Sequence, residues 1–190
     1  ANGNRLGIIS QGEIYSSDGD ITGYWSSLYS VINSANYIIE KMENLKATSE
    51  LSADDLAALS RYDGEAHFVR AYCYYWLVDH FCETYSEENA QAAAKGLPLV
   101  TTYHPTGDLT TYPGRSTQDE TYKLIDEDLT IAYNALVEYE KTDKSNVAAN
   151  ASYLSSYAVL ALQARIALSK GDNATALSKA EAVINSGIYP

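Results

Sequence analysis

Catalytic signatures are what this sequence most plainly lacks. It contains no G-x-G-x-x-G, no G-x-x-x-x-G-K-[ST], no G-x-S-x-G, no H-E-x-x-H and no C-x-x-C. Dinucleotide binding, P-loop chemistry, a serine nucleophile elbow and a zinc-protease site therefore have no basis in motif. Histidine is scarce, with only His67, His80 and His104. His67 and His80 stand thirteen apart on one expected helix, about 20 Å, and cannot share a metal. Cys73 and Cys82 are the only cysteines. On one helix they face opposite ways about 13 Å apart, beyond disulfide reach, so they say nothing about redox compartment. No run reaches the ~18 apolar residues that span a bilayer. Positive charge is also short, with 13 Lys and Arg against 25 Asp and Glu and a net charge of −12. The acid is spread over both halves, so nucleic acid and anionic membrane surfaces are poor partners. The start, Ala1-Asn2-Gly3-Asn4, has no basic–apolar–small signal pattern. Both ends read as cut, so the 190 residues are expected to form one domain that is a fragment of something longer.

Phenylalanine is nearly absent, with 2 residues, while tyrosine is abundant, with 17. Tyrosine couples an apolar ring to a polar tip and suits half-wet surfaces and sugar-binding faces, although many tyrosines merely pack on helices. Hydrophobic residues at 46% and charged residues at 20% are ordinary for a packed protein.

The periodicity is helical throughout, so the fold class is all-α. Residues 1–21 read as irregular. A first helix is expected over 22–45, on the spacing of Leu28, Val31, Ile32, Ala35, Ile38, Ile39, Met42 and Leu45. A second runs over 53–83 from a Ser52–Asp55 start. From Ala66 to Phe81 it is apolar nearly all round, which implies burial on more than one side and places Trp76 in the core. Arg70, inside that run, needs a partner, with Glu65 and Asp128 as candidates. Residues 84–115 hold Gly96, Pro98, Pro105, Gly107, Pro113 and Gly114 and read as a long irregular loop with a possible short helix in 87–95. Thr117 and Glu120 form a capping box for a third helix carrying Tyr122, Ile125, Leu129, Ala132, Tyr133 and Leu136. A fourth helix is expected over 148–169, stopped by Gly171, and a fifth starts at Asp172 and ends near Gly187. The last two helices match a tetratricopeptide pair loosely, through Tyr157, Leu160, Ala161, Ala164, Leu177 and Ala180.

Asp18-x-Asp20-x-Thr22-Gly23 imitates the first half of a calcium loop, but Tyr29 stands where the bidentate Glu belongs. An Asp-Gly turn before a helix accounts for it, and no metal is expected.

Four ordered segments carry a resemblance. They are Tyr29-Ser30-Val31-Ile32-Asn33-Ser34-Ala35-Asn36; Gly64-Glu65-Ala66-His67-Phe68-Val69-Arg70-Ala71-Tyr72, continuing to Val78; Gly96-Leu97-Pro98-Leu99-Val100 with Arg115-Ser116-Thr117 and Tyr122 to Ala132; and Ala158 to Leu168 followed by Gly171-Asp172. In that order, over nearly all of residues 24–187, the chain resembles the SusD/RagB family. The resemblance implies tetratricopeptide-like antiparallel helix pairs with long irregular loops, the pair at 148–187 among them. It implies a surface-exposed lipoprotein of the outer membrane, held by a lipid anchor that this sequence does not contain. The implied activity is capture of a glycan or other nutrient as partner to a SusC-like TonB-dependent transporter, with no catalysis and no cofactor. The segment Glu83–Lys95 departs from the family pattern as an insertion.

Sugar binding needs ring faces beside carboxylates or amides, and rings on loops or helix starts suit it. The candidate ligand-binding residues are Tyr15, Asp18, Asp20, Tyr24, Trp25, Tyr103 and Tyr112, with Asp108 nearby in sequence. Two other readings stand beside this one: a helical-repeat scaffold that binds protein and no sugar, and a hydrolase with a carboxylate pair.

Overall fold

The structure, a computed structural model, describes residues 12, 15, 17–142 and 153–189. Among these there is no strand, and six helices carry the fold: α1 (Gly19–Thr48), α2 (Ala53–Phe81), the single turn α3 (Glu87–Ala90), α4 (Gln118–Thr142), α5 (Ser156–Ser169) and α6 (Asn173–Ile184). The all-α expectation holds.

Each long helix starts where a short polar side chain can satisfy free N–H groups. Asp18 accepts from the N–H of Asp20 at 2.9 Å and so begins α1 three residues before the expected start. Ser52 and Asp55 form a reciprocal capping box on α2. Thr117 and Glu120 do the same for α4, at 3.1 and 2.8 Å. Asp172 accepts from Thr175 at 3.1 Å to start α6, and Gly171 takes the left-handed φ of +79° that lets α5 stop. Helix α5 begins at Ser156, later than the expected 148; the stretch 148–152 lies outside the described residues.

α1 and α2 run antiparallel, with Lys46 on Asp63 at one end and Tyr24 on His80 at the other. α4 lies antiparallel on α2. Gly64 lets them close, because a Cβ there would sit 2.9 Å from the Ala135 side chain. α5 and α6 form a hairpin whose ends meet through Ser155 and Tyr189 at 2.8 Å. The core gathers Ile32, Tyr74, Leu77, Leu97, Ile125, Leu129, Leu136 and Val159, all essentially inaccessible.

The long segment 84–115 is anchored more firmly than a free loop. Its Gly96 N–H donates to Ser116 at 2.8 Å, the Leu97 carbonyl accepts from Ser116 at 2.9 Å, and Leu97 is fully buried. Gly96 is required there, since a Cβ would lie 2.0 Å from the Thr117 carbonyl oxygen.

Two packing expectations need correction. Only Ile32, Ala35 and Ile39 of the first stripe are buried; Val31, Ile38 and Leu45 are about two-fifths exposed, at 40%, 40% and 41%. On α2 the face of Val69, Tyr72 and His80 is open, with Trp76 half-buried beside it. Trp76 therefore sits at the edge of the core, against Tyr72, Tyr75 and His80, with the Arg165 guanidinium 5.2 Å from its ring. Periodicity shows which positions are apolar, but whether a layer covers each of them depends on the neighbouring elements.

Candidate functional site

The segment that carries the predicted loop rings is held by a buried polar network. Arg70 on α2 grips Asp128 of α4 in bidentate fashion, Nε to Oδ2 at 2.8 Å and Nη2 to Oδ1 at 2.7 Å. His67 Nδ1 lies 2.7 Å from Asp128 Oδ1. Arg70 Nη1 also donates to Asn36 Oδ1 at 2.8 Å and to the Thr101 carbonyl at 3.2 Å. Asn36 donates from Nδ2 to the carbonyls of Val100 and Thr102, and the Val100 N–H donates to the Tyr74 hydroxyl at 2.6 Å. Three helices and residues 100–102 are thereby fixed together. Burial pushes the Asp128 carboxyl up, but the hydrogen bonds from Arg70 and His67 outweigh it and hold the group below the usual aspartate range. Arg70 thus pairs with Asp128, while Glu65 pairs with Arg61 one turn back on α2 at 2.8 Å.

The sequence-derived binding residues fall into separate places. Tyr24 projects at the start of α1, 38% exposed, its ring stacked on Phe81 at 6.1 Å and edge-on to His80 at 5.5 Å. Trp25 turns inward: it is partly buried against the core and meets Phe81 at 4.9 Å and Tyr29 at 5.0 Å. Tyr29 is itself tied to the loop by a hydroxyl bond to the Pro98 carbonyl at 2.8 Å. Asp18 spends its carboxylate on the helix cap, and Asp20 is exposed in the first turn. Tyr15 is 64% exposed, and its carbonyl accepts from the Asp18 N–H at 2.9 Å. Tyr103 sits edge-on to Tyr37 at 4.9 Å, with its N–H on Glu40 at 2.6 Å. Tyr112 is 55% exposed and bonds the Thr106 carbonyl at 2.9 Å. Asp108 folds back on Thr110 in a local turn, which holds its carboxyl low.

Tyr24 and Trp25 therefore share one aromatic cluster with Phe81 and His80. Tyr103 pairs with Tyr37, thirteen positions further along α1 and about 20 Å from Tyr24. No ring contact among the described residues joins Tyr15, Tyr103 or Tyr112 to the Tyr24 cluster. His80, Tyr37 and Phe81 were missed as ring partners because only helix crossing and loop placement bring them in. Among the described residues no group of three or more His, Cys, Asp or Glu is placed to hold a metal, and no helix is long and apolar enough to cross a membrane.

Comparison with known proteins gives the same architecture. The chain is similar to a proposed sugar-binding protein of Bacteroides vulgatus, with 24% identity and a TM-score of 0.78, over 97% of this chain and 37% of that one. It is similar to a laminarin-binding SusD-like protein (21% identity, TM-score 0.59, 84% of this chain and 29% of that chain). A third similar structure was solved with a xylogluco-oligosaccharide (22% identity, TM-score 0.63, 92% of this chain and 31% of that chain). The chain thus spans well under half the length of these relatives. No curated protein matches it. A family model described as starch-binding and associating with the outer membrane matches residues 4–168, and the chain belongs to this SusD-like family.

Proposed function

We propose that this chain is part of a surface lipoprotein that captures an oligosaccharide and passes it to a SusC-like TonB-dependent transporter. The observation that carries this reading is the family match across residues 4–168, whose description joins starch binding to the outer membrane. Two structurally similar proteins, one laminarin-binding and one solved with a xylogluco-oligosaccharide, support a glycan as the ligand class. The Tyr24 ring, exposed and backed by Phe81 and His80, is the predicted residue best placed to stack on a sugar. Tyr103 on its Tyr37 support is the second. The reading assigns no catalysis: the tyrosines offer stacking, and no catalytic motif accompanies them.

The test is native affinity electrophoresis against a polysaccharide panel, with the natural-length protein and residues 1–190 run side by side. Retardation of the longer protein supports the reading. Retardation of both, weakened by Tyr24→Ala, assigns the contact to this region. Absence of retardation on every glycan, with capture of the transporter intact, sinks the glycan role and leaves the protein-scaffold reading.

A further inference from the structure

A cavity of about 960 Å³ opens against the outer side of α4. Its walls come from three stretches far apart in sequence: Gln91 of the segment 83–95, the first turns of α4, and Lys170 at the turn between α5 and α6. The segment 83–95 is built into this wall. The Tyr85 hydroxyl donates to Asp119 Oδ1 at 2.9 Å, and the Gln91 amide donates to the other carboxylate oxygen. The fully buried Gln118 donates from Nε2 to the Glu83 carbonyl at 2.6 Å. The Tyr85 ring meets Tyr122 edge-on at 5.3 Å. The Lys170 ammonium then lies 4.9 Å from the Tyr85 ring and 4.8 Å from the Tyr122 ring. Two aromatic faces thus aim one cation, which makes no ion pair within 4.0 Å among the described residues.

The remaining polar groups are mostly acceptors. Asp126 and Glu127 of α4 line the same space, as do Glu120 and Lys123. Asp126 is exposed, so its carboxylate is open to a ligand. A concave site of this size, with convergent polar groups, has the general features of a small-molecule site. Four carboxylates against two ammonium groups make it acidic, so a ligand bearing its own carboxylates or sulfates is repelled. Hydroxyl groups match it well, donating to Asp126 and Glu127 and accepting from Lys170.

We infer that this cavity is a saccharide subsite that takes neutral or amino-bearing sugar units and rejects acidic ones, and that the segment 83–95 exists to complete it. The inference rests on the glycan-binding reading above. Because Lys170 already covers the two ring faces, recognition here is by hydrogen bonds to hydroxyls, in contrast to stacking at Tyr24.

The experiment is calorimetric titration of the natural-length protein with laminari-, xylogluco-, chitosan- and galacturonate oligosaccharides. The unmodified protein is expected to bind at least one of the first three and to discriminate against the galacturonate. Asp126→Asn and Lys170→Met are each expected to weaken that binding by roughly tenfold or more, as loss of a charge-assisted hydrogen bond does. Asp126→Asn should also narrow the discrimination against galacturonate. Ile184→Ala, at the exposed end of α6 remote from Lys170, is the unchanged control. If the unmodified protein binds but both cavity variants bind like it, the subsite is overturned while the glycan reading stands. If the unmodified protein binds none of the first three, or binds the galacturonate as tightly as them, the subsite is overturned, while the glycan reading is decided separately by the polysaccharide panel. Hydrogen exchange of the unmodified protein, which avoids any folding defect in the variants, supplies the second readout. Ligand-induced protection at residues 119–127 supports the subsite, and its absence with bound oligosaccharide overturns it.

Discussion

The junction of α2 with α4 and the hairpin of α5 with α6 are both antiparallel helix pairs, yet they are built differently. At the first, Leu129, Ile125, Ala132 and Asp128 are all at or near zero exposure, and the His67–Arg70–Asp128 network ties in α1 and the segment 100–102. On α6 only Ala176 is buried, while Leu177 and Ile184 are 60% and 72% exposed. The same sequence features, caps and an apolar stripe, start both pairs. What separates them is how many neighbours close over the stripe, and that sets how much each contributes to stability.

The sharpest way to break this contrast is at Asp128. Asp128→Ala leaves Arg70 and His67 buried without their acceptor and should cost about 3–5 kcal/mol by denaturant unfolding. Leu129→Ala should cost about 2–5 kcal/mol through the cavity it leaves. Gly96→Ala drives a methyl into the Thr117 backbone and should cost about 1–3 kcal/mol or more. Trp76→Ala should cost only about 1–2 kcal/mol, because the side chain is only half-buried. Leu177→Ala and Ile184→Ala should stay within about 0.5 kcal/mol of the parent. Large losses on α6, or none at Asp128, would invert the comparison.

Acid sharpens it further. The Asp128 carboxyl is held low in the fold, so its contribution is complete above the unfolded aspartate pKa of about 3.9 and fades as pH falls through the lower folded value. Urea midpoints measured from pH 7 down to pH 2 should therefore drop below about pH 4, and Asp128→Asn should flatten that drop. An equal slope in both proteins would show that other carboxylates carry the acid sensitivity.

Much of this was legible residue by residue. Ser52 with Asp55, Thr117 with Glu120, and Asp172 after Gly171 mark helix starts in the sequence and in the structure. Gly96 and Pro98 read in the sequence only as breaks in a long loop; that Leu97 anchors this stretch follows from the packed fold. The partner of Arg70 could not be ranked, because Glu65 is near in sequence and Asp128 is 58 positions away. Trp76 lies at the core's edge for a related reason, since distant elements decide what covers it, and the ligand candidates are legible as residue types but not as a group. Tyr24 gained Phe81 and His80, Asp18 was absorbed by a cap, and the segment 83–95 acquired a place only when Tyr85 and Gln91 met Asp119.

The sequence by itself determined the helices, their caps and their breaks, because each of those depends on atoms within a turn or two of the backbone. It also determined membership of the family, through motifs kept in order along the chain. Tertiary structure alone decided which ion pair forms, which rings meet and which face stays open. Those depend on how α1, α2 and α4 cross and on where the segment 96–103 lies across them, and a local pattern cannot encode contacts between residues that only the packed fold brings within hydrogen-bond distance.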